Sequence, residues 1–233
     1  MSSRGDVVAV TSLALEARIA LGAGVSVICK QASQLVVALE TAIEHGASGI
    51  ISFGIAGGLA PDLVAGDWVV GSCVRTGQER MPTDQTWARR LLEALPNAVH
   101  ADIVGVDAPI ASSLEKHRLH ARTGAAAVDT ESHIAARIAA AHRMPFAACR
   151  VVIDSTHRNL PPAAMVGLRH DGTPDVLAVF RSVVQQPSQL PALVRTALDA
   201  RTAGRALRRG RGRLGAGLGF PYFSNLALER LAA

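Results

Sequence analysis

The segment from Ala127 to Thr156, AVDTESHIAARIAAAHRMPFAACRVVIDST, restricts the fold more than any other part of the chain. Thr130 is a favourable helix N-cap with an acid on either side, so a helix is predicted to begin there. Pro145 prevents this helix from continuing further. The apolar, β-branched run Phe146–Ile153 predicts a buried strand, and Asp154 stands where that strand ends.

Strand and helix patterns alternate along most of the chain. Strands are predicted at 7–10, 25–28, 49–53, 67–74 and 102–106, and helices at 31–45, 86–95, 176–184 and 189–207, with a polar helix or turn at 113–120. Gly54–Gly58 is predicted to be a loop, either a ligand-binding turn or a plain tight turn. Polar loops are predicted at 75–86 and 157–172. The alternation predicts an α/β domain with a largely parallel or mixed central sheet.

Composition limits the class of protein. Hydrophobic residues make up 49% and charged residues 18% of 233 residues, which is typical of one soluble globular domain, here placed at 1–200. The segment 201–233 is interpreted as an Arg/Gly-rich tail with a poorly ordered end. The formal net charge is +5, yet residues 201–213 alone carry six arginines and no acid. The rest of the chain is therefore close to neutral, and no nucleic-acid partner is expected.

The three cysteines, Cys29, Cys73 and Cys149, are far apart in apolar segments and are interpreted as reduced core residues. No secretory signal or membrane-spanning run is recognisable, so a cytoplasmic protein is expected. No group of residues has the spacing of a metal site, and none is predicted.

Acidic residues follow several predicted strands: Glu16, the pair Asp129 and Glu131, and Asp154. Ligands collect at the carboxyl ends of strands in open α/β sheets, so these acids are candidates for one site. The chain has no GxSxG nucleophile motif and no defensible Ser-His-Asp order. The cations at 116–120 are interpreted as solvated. What remains is carboxylate chemistry, which suits cleavage of a glycosidic bond.

Four motifs in order resemble the nucleoside phosphorylase and nucleosidase superfamily, in particular the methylthioadenosine/S-adenosylhomocysteine nucleosidases. The segment 49–70, GIISFGIAGGLAPDLVAGDWVV, is similar to the family's strand and glycine-loop block. DAPI at 107–110, VDTES at 128–132 and RVVID at 150–154 resemble its base-binding, ribose-binding and catalytic motifs. The resemblance implies a three-layer α/β fold with a central mixed sheet flanked by helices, and a homo-oligomer.

The resemblance also implies roles for individual residues. Asp154 matches the acid that protonates N7 of the leaving purine, and Glu16 matches the glutamate that orients or activates the attacking water. Glu131 matches the carboxylate that binds the ribose hydroxyls, with Asp129 and Thr130 in the same motif. The backbone of Ile110 is expected to bind the adenine edge, and Gly54 and Ile55 belong to the glycine loop. No cofactor is implied, except for inorganic phosphate if the enzyme is a phosphorylase.

The sequence departs from the family pattern at several of these positions. Thr130 replaces a methionine and Pro109 a phenylalanine, while Ile55 and Ser52 stand where relatives carry phosphate-binding groups. These changes favour hydrolysis over phosphorolysis. Arg18, Arg150 and Arg158 remain as alternative phosphate contacts, although Arg150, a charge within an apolar strand, is predicted to pair with a buried acid such as Asp129.

The continuation DSTHRNLPPAA, the HDG turn at 170–172 and the arginine-rich end resemble the hopanoid-associated phosphorylases. That likeness implies a lipid-linked adenine nucleoside, adenosylhopane, as substrate. It also implies peripheral membrane contact through residues 201–223, where arginines precede Leu218, Phe220, Tyr222 and Phe223. Two other classes stay open: a nucleoside- or lipid-binding module that has lost catalysis, and a protein that binds membranes or polyanions through its tail.

Overall fold

The computed structural model describes residues 5–30, 32–166 and 175–223. Its strands are Val7–Thr11 (β1), Val25–Cys29 (β2), Gly49–Gly58 (β3), Trp68–Thr76 (β4), Glu79–Pro82 (β5), Val99–Gly105 (β6), Ala127–Asp129 (β7) and Phe146–Asp154 (β8). Its helices are Ala14–Ala20 (α1), Ala32–Glu44 (α2), Gln85–Ala94 (α3), Ser113–Thr123 (α4), Ser132–Ala141 (α5), Pro162–Met165 (α6), Val176–Gln185 (α7) and Leu190–Leu214 (α8). None of the helices in these ranges is long and apolar enough to cross a membrane.

The strands form one mixed sheet in the order β2-β1-β3-β7-β6-β4-β5, with β8 paired to both β3 and β4. β1 is parallel to β2 and β3, and β8 is parallel to β3. β7 runs antiparallel to β3, and β4 runs antiparallel to β8. The predicted mixed central sheet is confirmed.

Helices cover both faces of the sheet, each over its own apolar core. On one face α1, α3 and α8 contribute buried side chains such as Trp87, Leu91 and Leu207. On the other face α2 and α5 contribute Leu35, Leu39 and a set of alanines. These alanines are small enough to let α5 lie close against the sheet, which explains how a chain with 3% aromatic residues fills its core. The three-layer prediction is confirmed.

The glycine-rich segment Gly54–Gly58 is not a loop, as the sequence had suggested, but the second half of β3. It is held in the sheet by pairing with β8 on one side and with β7 at Gly57 and Gly58. Loops were predicted there because glycine has a low strand propensity. The pairing is a tertiary contact, and the lack of side chains at Gly57 and Gly58 leaves room for the side chains of β7 and β8.

The polar segment 75–86 also differs from its prediction, since it forms a hairpin. β4 continues to Thr76, turns at Gly77 and returns as β5, with Cys73 opposite Pro82. The segment 157–172, predicted to be a loop, contains the short helix α6. The HDG turn at 170–172 lies outside the described residues.

The expectation of a poorly ordered carboxyl end is wrong for the described residues up to 223. α8 runs across residue 200 to Leu214, and Leu218 and Phe220 then enter the core beside α3. Trp87 Nε1 donates to the Leu218 carbonyl at 2.9 Å, and the Trp87 and Phe220 rings meet edge to face. Arg211 donates to the Ala20 carbonyl at 2.9 Å. Two of the side chains expected to contact a membrane, Leu218 and Phe220, are therefore buried, whereas Tyr222 is exposed.

Candidate active site

Strand register brings the predicted acids together at one edge of the sheet. Gly57 of β3 is opposite Val128 of β7 on one side and Asp154 of β8 on the other. An ideal Cβ on Gly57 would lie 3.2 Å from Val128 Cγ1 and 3.6 Å from Asp154 Oδ1. The absence of a side chain at Gly57 therefore lets the ends of β7 and β8 face the same space.

That space is a cavity of about 260 Å³. Its walls include the predicted residues Ile55, Ile110, Asp129, Thr130, Glu131 and Asp154, together with Ser12, Leu13, Ala56, Gly57, Val106, Pro109, Val128, Ile153, Leu160, Ala164, Met165 and Thr196. Two predicted residues, Glu16 and Gly54, lie behind this wall. The cavity therefore has an acidic side formed by three carboxyl groups, and the rest of its lining is mainly apolar, with the hydroxyl groups of Ser12, Thr130 and Thr196.

Asp129 accepts a hydrogen bond from the N-terminus of α5 and forms an ion pair with a buried cation. Its Oδ1 accepts the Ser132 N–H at 3.0 Å, and its Oδ2 lies 2.6 Å from Nε of Arg150, which is fully buried. The predicted Arg150–Asp129 pair is thus confirmed. α5 begins at Ser132 with Glu131 as its N-cap, so the prediction of Thr130 as the capping residue is wrong. Asp129, one residue earlier, binds the free N–H group instead.

Glu131 lies beside the same arginine, with its Oε2 at 3.5 Å from Nη2 of Arg150. Ser12 Oγ donates to this oxygen at 2.9 Å, and the Thr130 hydroxyl donates to Oε1. Burial raises the pKa of Glu131, and the positive charge of Arg150 opposes that rise. Two hydroxyl groups and a carboxyl group therefore converge on one side of the cavity.

Glu16 is buried on α1, between β1 and β3. Its Oε2 accepts the backbone N–H groups of Ser12 and Leu13 at 2.9 and 2.8 Å, and its Oε1 accepts that of Ile55 at 2.7 Å. Burial raises the pKa of Glu16 to about 7. Gly54 makes the approach possible, because an ideal Cβ there would lie 2.5 Å from Oε1. Glu16 thus lies directly behind the cavity wall and titrates near neutral pH.

Asp154 has a partner that the sequence did not reveal. Lys116 of α4, interpreted above as solvated, is fully buried and forms an ion pair with Oδ2 of Asp154. Burial raises the pKa of Asp154, and the Lys116 ammonium opposes that rise. The one signal for Lys116 was its spacing from the apolar Leu119, which lies three residues further along α4 and is also buried.

The arginines left open as phosphate contacts have other partners or lie on the surface. Arg150 is surrounded by Asp129, Glu131 and the Ser52 hydroxyl. Arg158 pairs with Asp199 at 2.8 Å. Arg18 is exposed on α1. Within the part of the chain that the structure describes, the residues lining the cavity include no Lys, Arg or His.

Solved structures with similar folds are nucleosidases and hydrolases. The Helicobacter pylori methylthioadenosine/S-adenosylhomocysteine nucleosidase matches with a TM-score of 0.65 and 11% identity over 93% of this chain and 99% of that one. The Streptococcus pneumoniae nucleosidase gives 0.61 and 13% over 90% and 99%. The H. pylori futalosine hydrolase gives 0.59 and 12% over 89% and 97%. At such identities these likenesses show the fold alone.

Among curated proteins, no sequence matches this chain. A family model does match, over residues 7–185, and its description is the phosphorylase superfamily. The matched region contains the whole sheet, every predicted site residue and all of the cavity lining except Thr196. Together with the shared fold, this match identifies the family: the chain belongs to the phosphorylase superfamily.

Proposed function

We propose that this protein hydrolyses the N-glycosidic bond of an adenine nucleoside and releases the base. The observation that carries the proposal is the set of carboxyl groups of Asp129, Glu131 and Asp154 around one cavity, with Glu16 behind it. Departure of a purine leaves a positively charged, oxocarbenium-like sugar, which nearby carboxylates stabilise. The similar solved structures include nucleosidases for methylthioadenosine and S-adenosylhomocysteine.

Three carboxyl groups take separate roles in this proposal. Asp154 gives a proton to N7 of the purine, because its buried position favours the neutral acid. Glu131, with the Ser12 and Thr130 hydroxyls beside it, binds the ribose hydroxyls. Glu16 accepts the proton of the attacking water, since its pKa of about 7 suits a base at neutral pH and Oε1 accepts only one backbone hydrogen bond. Ile110 supplies backbone groups for the adenine edge.

Hydrolysis is favoured over phosphorolysis by the charges around the cavity. A phosphate ion would enter a space that contains three acidic side chains and, among the residues described, no cationic lining. Two buried cations, Arg150 and Lys116, lie close to the cavity, but carboxylates already pair with both of them. Binding phosphate there would require breaking a buried ion pair, which costs several kcal/mol.

The test is release of adenine from adenosine, 5′-methylthioadenosine and S-adenosylhomocysteine, with and without phosphate. We expect release without phosphate and a loss of about 10²- to 10⁴-fold in Asp154→Asn, because the general acid is removed. Asp62→Asn, at an exposed acid, is the matched control. Turnover only with phosphate would make the enzyme a phosphorylase. Binding without adenine release would make it a nucleoside-binding module.

We further propose that the ribose 5′ substituent is apolar, as in adenosylhopane. Leu160, Ala164 and Met165 form part of the cavity wall, and Met165 and the adjoining Val166 are also exposed. An apolar chain leaving the cavity would run along these side chains without uncovering a buried charge. Nucleosides with 5′-alkylthio groups of increasing length test this: kcat/KM should rise with chain length, and a fall would exclude a lipid-linked substrate.

Two assembly properties belong to the same proposal. A homo-oligomer is expected, and light scattering that gives the mass of a monomer would contradict it. Membrane contact is proposed through α8, on which Leu190, Val194, Arg201, Arg205 and Arg208 are exposed. Changing these three arginines to Gln should reduce binding to vesicles that contain anionic lipid, and unchanged binding would exclude this role.

A further inference from the structure

Lys116 is a buried cation that the proposed steps do not yet use. Its side chain is 1% exposed, and its Nζ meets three oxygens: Oδ2 of Asp154, the Ser155 carbonyl at 3.3 Å and the Arg158 carbonyl at 3.4 Å. An ammonium group has three N–H donors and no acceptor. The three oxygens therefore match a charged Lys116, which fastens α4 to the end of β8.

Lys116 also makes the two oxygens of Asp154 unequal. Oδ2 accepts the ammonium, whereas Oδ1 lies on the side of Gly57, which lines the cavity. A neutral carboxyl group carries its proton on one oxygen, and an ammonium that already donates to Oδ2 leaves no favourable place for a proton there. The proton of a neutral Asp154 is therefore directed to Oδ1, toward the cavity.

We propose that Lys116 is a positioning residue for the acid step, which places the proton of Asp154 on Oδ1 and stabilises the carboxylate that remains. The inference rests on the proposed function, because it concerns the same step. The O–H bond at Oδ1 breaks, the proton binds N7 of the purine, and the electron pair of the glycosidic bond goes to the base. Water adds to the ribosyl cation, and its proton passes to Glu16.

The charges around Asp154 predict the direction in which the pH dependence of the rate should change when Lys116 is removed. Lys116 on α4 and Arg158 after β8 lower the pKa of Asp154, while burial and Asp199 on α8 raise it. Removing the cation in direct contact should raise this pKa further. The acid then stays protonated to a higher pH but gives up its proton less readily. Loss of Lys116 should thus lower the rate and move its alkaline limit upward.

The experiment is the pH profile of adenine release from the best of the nucleosides tested above, between pH 5 and 10. In Lys116→Met the maximal kcat should fall by at least about tenfold, as expected when general acid catalysis is impaired. Its alkaline limb should move up by about 1–3 pH units. Lys116→Arg keeps the charge and should retain the wild-type limb with a partial loss of rate. Lys116→Gln keeps N–H donors for the two carbonyl groups, so it tests a neutral side chain with less risk to folding.

Arg158→Met is the matched control, because it removes a nearby cation that pairs with Asp199 and not with Asp154. The alkaline limb of the Arg158→Met pH profile should move less than that of Lys116→Met. A uniform loss of rate at every pH without a shift of the limb, or a Lys116→Arg profile like that of Lys116→Gln, would overturn the inference and leave the proposed function intact. If the wild-type protein releases no adenine from any nucleoside, the proposed function itself fails.

Discussion

Replacing Arg150 by methionine should destabilise the protein strongly. Arg150 is fully buried, with Asp129 at 2.6 Å and Glu131 at 3.5 Å. Removing the cation leaves two buried carboxylates without a countercharge, and breaking a buried ion pair in this way costs about 3–5 kcal/mol. In a chain of this size each kcal/mol lowers Tm by about 2–4 °C, so we expect a fall of about 6–20 °C.

The loss in Arg150→Met should depend on pH in a defined direction. Burial raises the pKa of Glu131 and Arg150 opposes the rise, so the variant should have a still higher folded-state pKa. Above the unfolded-state pKa, near 4.5, the folded variant would then bind more protons than the unfolded chain. Its free energy of unfolding should therefore decrease as pH rises toward that folded-state pKa. The deficit relative to the wild type should be larger at pH 8 than at pH 5.

Thermal and denaturant unfolding at pH 5 and pH 8 measure both effects. Arg137→Met is the matched control, because its pair with Glu79 is almost as short, 2.8 Å, but half exposed, and should contribute about 1 kcal/mol or less. Adding Asp129→Asn to Arg150→Met should recover part of the loss, since one unpaired charge is removed. A loss no larger than that of Arg137→Met, or one equal at both pH values, would refute the reasoning.

Two further predictions concern the residues behind the cavity wall. Gly54→Ala should lower the free energy of unfolding by about 1–3 kcal/mol and reduce activity, because Gly54 has φ +151° and the new Cβ would displace Glu16. Gly77→Ala is the control that separates backbone strain from this contact, because Gly77 has φ +55° but an ideal Cβ there has no atom within 4 Å. Glu16→Gln should lower kcat/KM by about 10²- to 10⁴-fold and remove the acid limb that the wild-type enzyme should show near the Glu16 pKa of about 7. A variant that keeps this limb would show that Glu16 is not the base.

Elements with a strong local pattern could be predicted from the sequence. The apolar run Phe146–Ile153 gave β8 to within one residue, and Pro145 correctly separated it from α5. The second half of β3 was missed because Gly54–Gly58 has no side-chain pattern, and its pairing with β7 and β8 depends on residues far along the chain. The order of the carboxyl end was missed for a similar reason, since Phe220 is fixed by a contact with Trp87.

For the candidate site, the sequence identified the acids better than the cations. Acids after strands could be grouped because parallel strands deliver their carboxyl ends to one edge of the sheet. Arg150 could be paired with Asp129 because a charge in an apolar strand needs a partner. Lys116 could not, because most residues of the surrounding helix SLEKHRLHART are polar, and its burial follows only from where α4 packs.

The two buried cations divide the acids into two groups, which fits the two different tasks proposed for them. Arg150 and Asp154 are four residues apart on β8, which separates their backbones by about 13 Å at the usual rise of a strand. Arg150 therefore pairs with Asp129 and Glu131, while Asp154 pairs with a cation from another element, Lys116 of α4. The guanidinium of Arg150 favours the ionised form of Glu131, which fits the ribose-binding role proposed for this residue beside a positive sugar. A single acid with its own ammonium can gain and lose one proton independently, as protonation of a leaving base requires.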